Sequence, residues 1–312
     1  MRLLVTRALT PRVEATLRAE FDAEFRSDDA PLTRTEAVRA LAEFDAILPT
    51  LGDDFGPRSF DGPIRARILA NFGVGYNHID VARAREVGIT VTNTPGAVTD
   101  ATADIALTLI LMSARRAAEG ERLVRTGGWT GWQPTQMLGQ HVTGKRLGVI
   151  GMGRIGRAIA RRAHYGFGME VVFFNRSPVD PGLPATQVPL AQALAADFVV
   201  LAVPSTPETR HLIGVAELAQ MARHAHLINI ARGDIVDEAA LIAALQAGAI
   251  AGAGLDVYEF EPAVPQALRD LANVTLLPHL GTATEEVRDA MGLMAVENLR
   301  AFRHGKLPPN AV

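Results

Sequence analysis

The 312-residue chain contains no cysteine. That absence excludes disulfides, thiol nucleophiles, zinc–thiolate centres and cysteine-ligated iron–sulfur clusters. No charge sign dominates either: 31 Lys and Arg face 34 Asp and Glu, for a formal net charge of -3. Such a balance leaves no electrostatic footprint for nucleic acid. The most apolar run, residues 105–114, is bracketed by Asp104, Arg115 and Arg116. It is far shorter than the roughly 20 residues a hydrocarbon core requires, and it predicts a buried helix. The amino terminus lacks the long apolar stretch and cleavage site of a signal peptide, so a cytoplasmic location is expected. There is no short repeat, no HExxH and no His/Asp/Glu set with metal-ligand spacing, so no metal is expected.

Hydrophobic residues make up 48% of the chain and charged residues 21%, which argues against disorder. The length fits two domains. Apolar strand-like runs at 2–6, 46–48, 67–72 and 89–92 alternate with helical patterns at 11–21, 33–43 and 80–87. One long helix is expected over 99–126, stopped by Gly127 and Gly128. A second series of strands follows at 146–150, 170–174, 198–203, 227–230, 255–257 and 274–277, and an amphipathic helix closes the chain at 285–302. The pattern predicts an α/β protein with largely parallel sheets. A second domain, 99–284, is inserted into a first formed by 1–98 and completed by 285–312.

The strongest local motif is Gly151-Met152-Gly153-Arg154-Ile155-Gly156, between a predicted strand and a predicted helix. Gly151 allows a tight turn, Gly153 a close approach to a pyrophosphate, and Gly156 close helix–strand packing. Free N–H groups at the helix start suit phosphates. A site for NAD(H) wants an acid about 20 residues onward, to bond the ribose hydroxyls. Position 175 carries Asn instead, followed by Arg176 and Ser177. Without a carboxylate, a 2′-phosphate is not repelled, and Arg176 offers it a planar cation. NADP(H) is therefore expected to be preferred, with NAD(H) possible. The alternative is a solvated, unselective Arg176.

Among the histidines, His164, His224 and His226 are read in or near amphipathic helices, His304 near the tail, and His141 in a connection, all as surface or packing residues. His279 is different. It follows a strand whose carboxyl end should face the cofactor, as Arg232 and Glu261 also do. Together they supply a cation for a carboxylate, an imidazole to protonate a carbonyl oxygen, and a carboxylate to support that imidazole. Those types suit hydride chemistry on a 2-oxo acid. An ordinary structural ion pair is the competing reading.

These segments, with 73–80 (GVGYNHID), 231–238 (ARGDIVDE), 254–262 and 278–284 (PHLGTAT), stand in one order along nearly the whole chain. In that order the chain resembles the D-isomer-specific 2-hydroxyacid dehydrogenases, most closely their glyoxylate/hydroxypyruvate reductase branch. The resemblance implies a flavodoxin-like substrate domain with an inserted NAD(P)-binding Rossmann domain. It implies reduction of glyoxylate to glycolate and of hydroxypyruvate to D-glycerate. Arg232, Glu261 and His279 become the catalytic set, with His279 as general acid. Backbone N–H groups of Val74 and Gly75 join Arg232 on the substrate carboxylate.

Cofactor contacts are implied for Thr102, Gly151, Gly153, Arg154, Ile155, Gly156, Asn175, Arg176, Ser177, Pro204, Thr209, Asp256, His279 and Gly281. A homodimer through the cofactor domain is implied, with Trp132 rather than Trp129 reaching the partner's substrate. Two other activities remain open: reduction of larger 2-oxo acids such as phenylpyruvate, and dinucleotide sensing without turnover.

Overall fold

The computed structural model describes residues 1–312 and divides into two compact units. Unit 1 is 1–98 with 282–312, and unit 2 is 99–281. The chain re-enters unit 1 at Thr282 rather than at 285, because Thr282–Thr284 lead into the last helix, which the Thr284 hydroxyl caps through the Val287 N–H.

Unit 1 begins with β1 (Arg2–Val5), α1 (Pro11–Glu20), β2 (Asp22–Phe25), α2 (Arg34–Glu43) and β3 (Ala46–Leu48). It continues with β4 (Ile68–Ala70), α3 (Val81–Glu86) and β5 (Thr90–Thr92). Its five strands are all parallel, in the order β2-β1-β3-β4-β5. Helix starts are chemically marked. Thr33 and Glu36 form a reciprocal capping box for α2, and Asp80 caps α3, satisfying N–H groups that a helix start leaves bare.

Unit 2 holds α4 (Thr99–Ala114), α5 (Ala117–Arg125), β6 (Arg146–Ile150), α6 (Arg154–Phe167), β7 (Glu170–Phe174) and β8 (Ala185–Gln187). It continues through α7 (Leu190–Leu194), β9 (Phe198–Leu201), α8 (Val215–Leu218), β10 (His226–Asn229), α9 (Glu238–Gln246), β11 (Gly252–Leu255), α10 (Gln266–Arg269) and β12 (Val274–Leu276). Helix α11 (Glu285–Arg303) belongs to unit 1. The seven-stranded parallel sheet runs β12-β11-β10-β9-β6-β7-β8. Its order reverses between β6 and β9, which is where such sheets open a ligand crevice. Strands β9, β10 and β11 are buried on both faces, as helix-covered parallel strands are.

Two expectations are corrected, and two strands appear for which none was stated. The helix over 99–126 is two helices. The Ala114 carbonyl that would continue the ladder accepts instead from the Gln140 N–H at 2.7 Å, Gly139 packs against it, and Arg116 turns left-handed at φ 53°. Strands β2 and β8 carry no strong apolar pattern in the sequence. Both lie at a sheet edge and exist through their pairing with β1 and β7. His226 is in no helix. It sits within β10, only 6% exposed, stacked on Phe198 and hydrogen-bonded through Nδ1 to the Ser113 hydroxyl at 2.7 Å.

Burial drives the His226 pKa down to about 4, with the charge of His224 adding to it. The unfolded chain therefore takes up this proton before the folded one does. Stability should fall as pH drops from about 6.5 towards 4, by roughly 3 kcal/mol in all. Urea unfolding at pH 7 and pH 4.5 tests this. His226→Gln should lose less stability than the wild type over that interval, and equal losses would rule the histidine out as the source.

Candidate active site

The turn after β6 meets the geometric demands of a dinucleotide site. Gly151 has φ 102°, and a Cβ there would lie 2.8 Å from the Ala202 carbonyl oxygen, at the end of β9. A Cβ on Gly156 would lie 2.1 Å from the Gly151 carbonyl oxygen. Only glycine permits either contact. Gly153 faces open space and caps α6 without a side-chain hydrogen bond. The first-turn N–H groups at Arg154 and Ile155 donate to no protein acceptor, the state in which a helix start can take a diphosphate.

Downstream, Asn175 is partly spent on the fold. Its Oδ1 accepts from the Met152 N–H at 3.3 Å and its Nδ2 donates to the Ser177 carbonyl at 2.9 Å. Arg176 and Ser177 are exposed. Arg176 lies near enough to Glu208 to help lower that carboxyl's pKa, whose main cause is a hydrogen bond from Thr206. Thr209 does not face outward as a free donor. Its hydroxyl donates to the Pro204 carbonyl at 2.7 Å and accepts from the Thr206 N–H, closing a compact turn. Thr102 is buried, and its hydroxyl donates to the Gly281 carbonyl at 3.1 Å, so it fixes the segment after β12.

Arg232, Glu261 and His279 all lie beyond carboxyl ends of the unit 2 sheet. Asn229, at the end of β10, clamps the Arg232 loop by donating to the Arg232 carbonyl and accepting from the Ala231 N–H. Gly233 brings that loop onto the next one, since a Cβ there would overlap the Tyr258 backbone. Burial pushes the Arg232 guanidinium below its usual pKa, against the opposing pull of Glu261 and Asp234. His279 Nδ1 meets Glu261 Oε2 at 2.9 Å, while Glu261 Oε1 accepts from the Tyr258 N–H at 3.0 Å. Burial acts to raise the Glu261 carboxyl. Its bonds to His279 and Tyr258 and the charges of His279 and Arg232 outweigh that and hold it below the usual value. Both histidine and glutamate keep about 30% of their side chains exposed, so solvent and small ligands reach the pair.

Several contacts that support the site are not visible in the motifs. His279 is left-handed, at φ 57°. Its N–H donates to the Asp256 carbonyl, and both Asp256 carboxylate oxygens accept the next two N–H groups, Leu280 at 2.6 Å and Gly281 at 2.8 Å. Burial nonetheless pushes the Asp256 carboxyl pKa up, ahead of those bonds. The Tyr258 hydroxyl donates to the Leu277 carbonyl at 2.9 Å, tying the glutamate loop to the histidine strand. Glu259 accepts from Arg210 and His211 and anchors the same loop from the other side.

Val74 and Gly75 are in unit 1. The carbonyls of Gly73 and Gly75 accept from Asn71 Nδ2, and that of Val74 accepts from Asn93 Nδ2. The Val74 and Gly75 N–H groups donate to no protein acceptor. Trp132 is 80% exposed, and Trp129 half-exposed with its indole N–H on Gln136. No three His, Asp or Glu side chains are grouped to hold a metal, and no helix is long and apolar enough to cross a membrane.

Two glycine variants separate packing from ligand approach. Gly156→Ala should cost about 1–3 kcal/mol of stability through overpacking. Gly153→Ala should stay within about 0.5 kcal/mol of the wild type yet weaken dinucleotide binding, because its Cβ enters the phosphate's space. Thermal unfolding with cofactor titration reads both. Unaltered binding by Gly153→Ala would move the pyrophosphate elsewhere.

Comparison with known proteins agrees with this geometry. Residues 107–281 match the family described as D-isomer specific 2-hydroxyacid dehydrogenase, NAD binding domain. A glyoxylate reductase of Korarchaeum cryptofilum is 44% identical over 317 residues, covering 100% of this chain and 95% of that protein. A glyoxylate reductase structure from Paecilomyes thermophila superposes with a TM-score of 0.88 at 34% identity, covering 100% and 98% of the two chains. An NADPH-dependent glyoxylate/hydroxypyruvate reductase of Sinorhizobium meliloti, in complex with NADP and malonate, gives 0.89 at 36% identity, with 100% and 96% covered. Its substrate domain, its Rossmann domain and these matches place the chain in the D-isomer-specific 2-hydroxyacid dehydrogenase family, closest to the glyoxylate/hydroxypyruvate reductase branch.

Proposed function

We propose that the protein is an NADPH-preferring reductase of glyoxylate and hydroxypyruvate, with His279 as its general acid. The observation that carries this reading is the 2.9 Å His279–Glu261 pair with a half-buried Arg232 whose charge acts on Glu261. A bound nicotinamide cofactor supplies the hydride. The Val74 and Gly75 N–H groups and the Arg232 fork hold the substrate carboxylate. The carbonyl oxygen accepts a proton from His279 Nε2 as the carbon is reduced. Glu261, on Nδ1, fixes which ring nitrogen faces the substrate and stabilises the imidazolium before transfer. The absence of a carboxylate at 175 and the exposed Arg176 support NADPH over NADH, while nearby Glu208 limits the margin. The exposed apolar side chains Val124, Trp129, Trp132 and Leu138 support a homodimer through this unit, with Trp132 directed to the partner.

Two substitutions test the assignment. His279→Gln should lower kcat on glyoxylate by on the order of 10²- to 10⁴-fold while NADPH still binds; near-wild-type turnover would remove His279 as the acid. Arg176→Ala should raise the KM for NADPH much more than the KM for NADH. Parallel increases would remove the phosphate contact.

A further inference from the structure

The carboxyl edge of the unit 1 sheet holds a cation that neither the motifs nor the proposed chemistry uses. Arg7 follows β1. Its guanidinium lies over Gly52, beyond β3, where a Cβ would come within 3.4 Å of Nη2. Gly52 has φ 94°, which side chains rarely adopt, and the Pro31 ring packs against the same point, its Cγ at 3.2 Å. Arg7 Nε and Nη2 are both buried and have no hydrogen-bond partner. Those two nitrogens form the side fork of a guanidinium, the parallel pair that grips a carboxylate with two bonds.

No acid of the protein fills the fork. Asp53, the carboxylate at this edge, is buried and spent on the Thr6 hydroxyl and the Leu32 and Thr50 N–H groups. Other buried polar atoms without partners stand along the same edge: Thr50 Oγ1 beyond β3, Asn71 Oδ1 beyond β4 and Thr94 Oγ1 beyond β5. Such groups normally find partners when buried, and a desolvated cation without one is costlier still. The sheet order reverses at β1 and β3, the strands that Arg7 and Gly52 follow, and that reversal is where parallel sheets of this order bind ligands.

We propose that Arg7 forms a second anion subsite and that the enzyme also reduces four-carbon 2-oxo dicarboxylic acids. This rests on the reading that Val74 and Gly75 hold the first carboxylate. Strand β3 lies between β1 and β4, and neighbouring strands stand about 4.8 Å apart. A fork lying over the end of β3 is therefore roughly one strand spacing from the chain that leaves β4. Two carboxylates separated by two carbons span that gap. The reaction is otherwise unchanged. The C2 carbon gains the hydride, its oxygen gains a proton, the reduced nicotinamide is oxidised, and both carboxylates persist in the 2-hydroxysuccinate formed.

The test compares oxaloacetate with 4-methyl-2-oxopentanoate, which has the same shape but an isopropyl group in place of the second carboxylate. The ratio of their kcat/KM values cancels any general damage to the fold. Arg7→Met should lower that ratio on the order of 10- to 100-fold, as the loss of a charge-assisted pair predicts, and Arg7→Lys should fall between. An unchanged ratio, or a wild type that reduces glyoxylate but not oxaloacetate, overturns the subsite. Calorimetric titration with D-malate and with 2-hydroxy-4-methylpentanoate gives the same comparison without turnover. If no 2-oxo acid is reduced, the proposed activity fails, while a D-malate preference lost in Arg7→Met would still support the subsite.

Discussion

The arrangement in unit 2 depends on one carboxylate. Asp256 directly follows β11 and accepts the N–H groups of Leu280 and Gly281, while its own carbonyl accepts that of His279. These three bonds hold His279 in a left-handed conformation that costs an L-residue energy and persists only where its surroundings enforce it. The enforced turn aims Nδ1 at Glu261. Without it, the imidazole and the carboxylate would simply be two polar side chains near the ends of parallel strands.

Close backbone approaches complete the site. Gly233 lets the Arg232 loop pack onto the Tyr258–Glu261 loop, and Gly151 and Gly156 let the turn after β6 fold under α6. In each case the contact falls where a Cβ would sit, so glycine is fixed by the neighbouring backbone. The Arg232 loop and the glutamate loop thereby meet main chain to main chain, while Asp256, Tyr258 and Glu259 fix the glutamate and histidine segments through side chains. The His279–Glu261 pair stays partly open to solvent.

Much of this was legible in the sequence. The glycine motif reads directly because its spacing encodes backbone contacts. Arg232, Glu261 and His279 read as candidates because each follows an apolar strand. Less local features were hidden. The break at Arg116 depends on Gly139 and Gln140 capturing a carbonyl some 25 residues away. Strands β2 and β8 are made by their neighbours. His226 was expected in or near a helix, as a surface or packing residue, because its partners, Ser113 and Phe198, are distant in sequence. The Asp256 clamp could not be foreseen for a similar reason: its geometry exists only once β11 and β12 lie side by side.

The central claim is that a small 2-oxo acid gains a hydride on carbon and a proton on oxygen in this protein. Following deuterium from NADPH labelled at the transferable C4 position into the product of glyoxylate reduction tests it most directly. Labelled NADPH in ordinary water should yield glycolate with one deuterium on C2, and unlabelled NADPH in D2O should leave none there. Deuterium entering C2 from solvent, or glycolate formed without oxidation of the dinucleotide, would contradict it.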